Sequence, residues 1–509
     1  MRYLVTGKEM KLLDQNTSSY YKVPELVLME QAAMHFVQEL CSVLSETKMK
    51  KGIVFCGLGN NGADGIAIAR LLNEKGIPTQ ICKIKDLLKE KGKTSDSFLV
   101  QESIYDAYKY PVIDSFERIT TESYDFVIDA VFGIGLSRNL SEEYCSIIQK
   151  INAIKATKFA VDMPSGIHSD NGQIMGNAIK CDYTITFSFG KMGQYLWPGN
   201  DYAGETIVVS MGITEKSWLD KKPSCASLEK EDLENLPKRT AHSNKGTYGK
   251  LLIVAGSTTM AGAAIFAAKA AYRCGVGLVK VFTSEENRAI IQSAVPESIV
   301  VSYGNKLNKD EFVSCIQWAD AIVAGPGIGQ SAIAKEIVKM IHATSSVPVV
   351  WDADALNIFS QDVNQFLLPH TEYIVTPHLG EFSRLTSNHI NWIQTHLIET
   401  AREFARTYDV ICVLKDFHTI TAVPFGMTYL NLSGNNGMAT AGSGDVLAGV
   451  IGALLAQGMK GEQAASLGVY IHGLAGDAAK NKLGTHAMMA SDMINALHEV
   501  WKGTEHAEY

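Results

Sequence analysis

Residues 52–65 read GIVFCGLGNNGADG, and this stretch decides the fold of the first half of the chain. Gly52 to Cys56 form a short apolar run bounded by glycine, the pattern of a strand buried on both faces. Gly57, Gly59 and Gly62 follow at the G-x-G-x-x-G spacing of a tight strand-to-helix turn, and 64–75 read as the helix. Working outward, further strand-like runs fall at 125–130, 158–162, 183–189 and 205–210, with helical stretches between them. Such alternation predicts a Rossmann-like three-layer α/β domain, a parallel sheet covered by helices on both faces.

The glycine turn admits several readings. A dinucleotide fingerprint explains the glycines, and Asp86 lies near where a ribose-binding carboxylate would sit. It leaves Asn60, Asn61 and Asp64 without a role. Amides and a carboxylate together suit a polar ligand plus a hard cation better than pyrophosphate alone. A purely structural turn capped by Asn and Asp is the bland alternative. Two later strand ends favour the mixed site. Asp129 closes the strand DFVIDA, and Asp162 closes KFAVD ahead of Met163-Pro164-Ser165-Gly166. Carboxylates at the C-terminal ends of parallel strands stand where ligands bind in such sheets.

A polar break with two prolines and no apolar periodicity spans 213–248, which sets a domain boundary near 220 and predicts domains over 1–220 and 221–509. Beyond it the alternation resumes, with strands expected at 250–255, 278–282, 321–325, 348–352, 373–376 and 410–415, and a helix at 261–275. Two long small-residue helices end the chain. The first opens from Ala441-Gly442-Ser443-Gly444-Asp445, so backbone N–H groups and the helix dipole face an anion. Asp445 either caps this helix or meets a substrate hydroxyl beside a phosphate. No GxxxxGK[ST] loop occurs.

The net charge of −8 and the absence of a strongly basic run argue against nucleic-acid binding. Nine cysteines include no CxxC pair, which argues against zinc and for reduced, buried thiols. No apolar run reaches the roughly 20 residues needed to cross a bilayer, and the N-terminus lacks a signal-peptide core, so a cytoplasmic protein is expected, with no membrane partner.

The set GLGNNGADG, DAVFGIGLSR and VDMPSGI resembles the YjeF N-terminal domain family, the NAD(P)H-hydrate epimerases, over about residues 1–215. The resemblance implies hydrate contacts from Asn60, Asn61, Gly62, Ala63, Asp64, Gly133, Ile134, Gly135, Leu136, Ser137, Arg138, Asn139 and the candidate catalytic Asp162. It also implies potassium ligands Asn61, Asp129 and Ser165. The family loop usually reads NNGGDG; here Ala63 takes one glycine's place.

AGSTTMAGAAIFAAKAAYRCGVGLV (255–279), GPGIG (325–329), DADAL (352–356), TPHLGEFSRL (376–385), KDFHT (415–419) and NNGMATAGSGDVLAG (435–449) resemble the NAD(P)H-hydrate dehydratase branch of the ribokinase-like proteins, over about 240–500. A C-terminal ribokinase-like α/β domain is implied. So are hydrate contacts at Ala263, Gly327, His378 and Asp445, and adenine-nucleotide contacts at Lys415, Asp416, Phe417, His418, Thr419 and Gly444. The resemblance implies phosphorylation of the C6 hydroxyl of the hydrate and elimination of phosphate, with Asp445 as base. ADP is favoured over ATP, with Mg2+, and a homo-oligomer is expected. KDFHT stands where KGxGT is typical, and HLGE where HPGE is typical. Two other readings stand beside this one: a Rossmann oxidoreductase fused to a sugar or vitamin kinase, and a first half that only binds ligand or RNA.

Overall fold

The computed structural model describes residues 1–44, 51–88, 94–119, 124–367 and 371–505. The chain divides into two compact units, Tyr3–Ser224, and Cys225–Tyr509 with Met1–Arg2.

The N-terminal unit is built on a seven-stranded sheet. Its order is Val112–Ile113, Thr79–Lys83, Gly52–Cys56, Phe126–Ala130, Thr157–Val161, Tyr183–Phe187 and Glu205–Val209. All of these pairings are parallel. The central strands are buried throughout, as their unbroken apolar runs require. The chain starts at the sheet's middle, adds strands on one side, then returns to fill the other. The strand order therefore reverses between Gly52–Cys56 and Phe126–Ala130, and in doubly wound folds the ligand crevice opens at that point. Helix Glu25–Leu44 packs with Asn60–Glu74 over one face in an apolar layer that includes Phe36, Leu40, Ile66 and Phe126. A short strand, Arg2–Val5, pairs in parallel with Gly190–Lys191 and leads into helix Gly7–Ser19.

The strands of the C-terminal unit run in the order Ile299–Tyr303, Leu278–Ser284, Lys250–Val254, Ala321–Ala324, Val349–Trp351, Tyr373–Val375, Ile411–Leu414, Ile420–Ala422, Thr428–Leu430 and Cys225–Ser227. Pairing is parallel as far as Ile411–Leu414, then antiparallel through the next two. Helix Ser443–Ala456 is buried from Val446 onward, which explains its apolar character all round. Its glycines let it pack closely: a Cβ on Gly449 would lie 2.3 Å from the Ala267 carbonyl, and one on Gly452 2.3 Å from Val323. This packing fixes where the helix N-terminus points.

The expected strands and helices are present, with ends shifted by a few residues. The break at 213–248 is more structured than its composition predicts. It holds short 3-10 turns and the strand Cys225–Ser227, and Trp218, Leu233 and Tyr248 are buried. Isolated apolar residues anchored by tertiary contact carry no periodic signal. The nine cysteines are free thiols, and no described helix is long and apolar enough to cross a membrane.

Candidate active sites

In the N-terminal unit a cavity of about 1010 Å3 opens over the reversal point. Asn60, Asn61, Asp64, Asp162 and all of Gly133 to Asn139 line it. Its base is a close glycine contact: a Cβ on Gly62 would fall 2.0 Å from the Gly57 carbonyl, and one on Gly57 2.0 Å from that of Val131. These positions must be glycine because two strand-end loops touch backbone to backbone. Ala63 is fully buried among apolar neighbours, and its N–H bonds the Gly59 carbonyl at 3.2 Å. It sits behind the loop in helical conformation, so its methyl costs nothing in backbone strain. Asn60 donates to Glu25 at 2.6 Å.

Asp162 has φ +65°, a left-handed conformation uncommon for residues with a side chain. Its Oδ1 accepts from Lys191 Nζ, from Thr186 Oγ1 at 2.9 Å and from Phe187 N at 3.2 Å. Gln194 Nε2 holds its carbonyl at 2.6 Å. Oδ2 bonds no described residue, which leaves it available to the cavity. Lys191 is fully buried, and sequence reasoning missed it, because a lysine within FGKMG carries no sign that it is buried beneath an aspartate.

Asp129 and Ser165 are together, behind the cavity wall. Ser165 Oγ donates to Asp129 Oδ1 at 2.5 Å and Ser165 N to Oδ2 at 2.7 Å. Phe132 N donates to Ser165 Oγ at 2.7 Å. Burial pushes the Asp129 carboxyl up to about 6 against these hydrogen bonds. No cationic side chain offsets its charge among the described residues. Asn61 lies against Gly133, one residue beyond Phe132, and its Nδ2 is buried without a partner. A buried carboxylate without a cationic partner, the Ser165 hydroxyl and the nearby Asn61 side-chain carbonyl supply oxygens that fit a monovalent cation. Asp86, the ribose carboxylate of a dinucleotide site, is instead ion-paired with Lys83 at 3.5 Å and does not line the cavity.

In the C-terminal unit the motifs converge on the carboxyl edge of the sheet. The GPGIG loop packs on DADAL. A Cβ on Gly325, at φ +126°, would overlap the Asp352 carbonyl at 1.8 Å, and Gly329 N donates to Asp354 Oδ2 at 2.9 Å. Ala263 lies directly against Gly327, 3.0 Å from where a Cβ would be. Asp352, buried, accepts from Thr376 Oγ1 at 2.7 Å and from Lys415 Nζ at 3.0 Å. Neither Asp352 nor Thr376 is singled out by the sequence, although both fall inside quoted motifs.

Helix Ser443–Ala456 begins at Gly442, whose φ of +89° requires glycine. Gly444 and Asp445 are its second and third residues, where N–H groups have no partner within a helix. Lys415 Nζ stands 3.2 Å from the Cβ position of Gly444, so the ammonium reinforces the same anion site. Burial pushes Asp445 up to about 7, with Asp352 and Asp354 adding to the rise and Lys415 opposing it. His378 caps helix Leu379–Thr386, its Nδ1 accepting from Gly380 N at 2.9 Å and Glu381 N at 3.3 Å. Burial, then Lys415 and Arg384, lower its affinity for a proton. Within KDFHT, Phe417 turns to solvent, while Asp416 and His418, which stand where glycine is typical, are half-buried. Burial depresses His418 to about 4, and its buried Nδ1 has no partner. Thr419 follows, half-buried, at the foot of the next strand.

Fold and sites together define a two-unit α/β protein: a Rossmann-like unit with a strand-end polar cavity, and a ribokinase-like unit with an anion-binding helix N-terminus and an aspartate beside it. Comparison with known proteins agrees. The model of the YjeF-related protein N-terminus matches residues 25–193, and that of NAD(P)H-hydrate dehydratase matches 251–499. The bifunctional NAD(P)H-hydrate repair enzyme Nnr of Moorella thermoacetica is 33% identical over 99% of this chain and 97% of its own. That of Escherichia coli is 33% identical over 88% of this chain and 84% of its own. Among solved structures, a ribokinase-like superfamily protein from Enterococcus faecalis superposes on 55% of this chain and 97% of its own, at TM-score 0.50 and 29% identity. The chain belongs to the bifunctional NAD(P)H-hydrate repair enzyme family.

Proposed function

We infer that the two units carry out two steps of one repair. The N-terminal unit interconverts the R and S hydrates of NADH and NADPH, and the C-terminal unit dehydrates the S hydrate at the expense of an adenine nucleotide. In the N-terminal cavity, Asn60, Asn61, Gly62, Asp64 and the 133–139 loop would grip the hydrate, and Asp162 would face its reacting ring. Asn61, Asp129 and Ser165 would hold potassium, which when bound supplies the positive charge that this buried carboxylate lacks.

The observation that carries the dehydratase reading is Asp445 beside free helix N–H groups and the Lys415 ammonium. Asp445 is placed to accept the proton of the C6 hydroxyl as its oxygen attacks the terminal phosphorus of the nucleotide. The N–H groups of Gly444 and Asp445, with Lys415, would hold the negative phosphoryl oxygens. Phosphate is a far better leaving group than hydroxide, so the ring double bond re-forms as C5 gives up its proton. ADP is the donor favoured, ATP the alternative, and Mg2+, when bound, would offset the negative charge of the nucleotide phosphates. Ala263, Gly327 and His378 would border the hydrate, and the 415–419 segment the nucleotide.

The chain's free thiols accord with a cytoplasmic setting. Assembly as a homo-oligomer rests on resemblance and is read by light scattering. The test of function is direct. Hydrated NADH is incubated with Mg2+ and either ADP or ATP, and the absorbance of restored NADH is followed. No recovery with either nucleotide discards the assignment. The oxidoreductase alternative gains no support from Asp86, which Lys83 already holds.

A further inference from the structure

The N-terminal cavity contains a carboxyl group that none of the motifs explains. Asp14 lines it together with Asp64, Asp162 and Lys191. It bonds no described residue, unlike Asp162, whose Oδ1 is fully engaged. Its position is rigid. Val5 pairs with Lys191 across a parallel ladder, and the helix that carries Asp14 leaves directly from that strand. Thr6 and Glu9 cap the helix reciprocally. Its other end is tied down by Asn16 Nδ2 to the Ser217 carbonyl at 2.8 Å and Thr17 Oγ1 to Ser217 Oγ at 2.7 Å. A half-buried acid with no partner, facing other acids, costs stability, and such groups concentrate where proton transfer is needed.

Inverting a carbinol carbon next to a ring nitrogen makes two demands. The hydroxyl leaving one face must gain a proton, and the water arriving on the other must lose one. Asp162, ion-paired through Oδ1 and open at Oδ2, serves as an acceptor. The cavity needs a donor besides Asp162, and helix Gly7–Ser19 brings Asp14 to its lining. We propose that Asp14 is the proton donor of epimerisation, acting together with Asp162 as proton acceptor.

This rests on the reading of the cavity as the hydrate site. The protonated Asp14 carboxyl gives its proton to the C6 hydroxyl oxygen. The C6–O bond breaks and water departs, while the N1 electron pair forms an N1=C6 double bond. Water adds to C6 from the other face, N1 regains its pair, and the added water's proton goes to Asp162. The hydrate is unchanged in composition and inverted at C6. The pair is then poised for the opposite inversion, or is reset by exchange with solvent. Burial pushes Asp14 up to about 7, with Lys191 opposing and Asp162 and Glu25 adding, so a substantial share of it carries a proton at neutral pH. Asp64, also raised by burial and by Asp162 and Asp14, faces the same space, as do Lys11 and Arg138.

The test uses the full chain with the R hydrate of NADH and potassium, without nucleotide. The appearance of the S hydrate above the enzyme-free rate is followed by chromatography. Asp14→Asn should slow epimerisation at least about 100-fold. Its nucleotide-dependent dehydration of the S hydrate should match the wild type's. The wild-type rate should fall as pH rises through about 7, where Asp14 loses its proton. Asp14→Glu, which keeps an acid and guards against a folding defect, should retain partial activity with that fall displaced in pH. Wild-type rates and an unchanged pH profile in both variants overturn the donor role. A wild-type chain that does not epimerise at all overturns the reading of the cavity itself.

Discussion

Lys415 Nζ lies 3.0 Å from Asp352 Oδ1, and the pair sits against the backbone of Gly444 at the mouth of the anion-binding helix. Burial works against the ammonium, but Asp352 and Glu381 hold its proton affinity above the ordinary lysine value. Lys415→Met leaves Asp352, 2% exposed, as a buried charge without its partner. Loss of one partner of a buried pair costs about 3–5 kcal/mol. Denaturant unfolding should show most of that loss in Lys415→Met, and Asp352→Asn in the same chain should restore part of it. Nucleotide-dependent dehydration should remain lost in the double variant, because the phosphate contact is gone. An unchanged KM for nucleotide in Lys415→Met would remove Lys415 from the phosphate site.

Asp445→Asn should abolish dehydration and spare epimerisation, since the two reactions occupy different units. As a base, Asp445 must be ionised, so wild-type dehydration should fall as pH drops through about 7. The sign for stability is opposite. A carboxyl whose folded value lies above the unfolded one binds more protons in the folded state. Acidification from pH 8 towards 5 should therefore strengthen folding through this group. Asp445→Asn should flatten that trend in thermal unfolding, and a trend equal to the wild type's would contradict the raised value.

Epimerisation should depend on potassium and respond weakly to sodium or lithium at equal ionic strength. Ser165→Ala removes one candidate ligand and the hydroxyl that bonds Asp129 at 2.5 Å. It should raise the potassium concentration for half-maximal rate several-fold while leaving dehydration of the S hydrate unaffected. A rate indifferent to the choice of cation would dismiss the site.

Leu379 stands where proline is typical, at the first position of the helix capped by His378. Proline is common at the first position of a helix, because that N–H lies outside the helix's own ladder and helical φ is near the proline value. His378, at φ −80° and ψ 169°, has the extended backbone that a following proline prefers. Leu379→Pro should therefore shift stability by no more than about 1 kcal/mol, upward if at all. A large loss, read by thermal unfolding, would show that Leu379 packs in a way its position conceals. The His378 cap on Gly380 N and Glu381 N forms with leucine at this position.

The sequence by itself determined the two α/β units, the glycine turns and the strand-end aspartates. Those features follow from local rules: apolar runs of strand length, close backbone approach at glycine, and N–H groups left free at a helix start. Gly57, Gly62 and Gly442 were legible because each sits where a side chain would collide or strain the backbone. Only the tertiary structure decided the partnerships. Lys191 beneath Asp162, Lys415 against Asp352, Asn60 on Glu25 and the unpartnered Asp14 join residues far apart in the chain. Nothing local distinguishes these side chains from solvated surface charges. Folding takes them out of water beside one another, and desolvation with neighbouring charge then sets which carry protons and which do not.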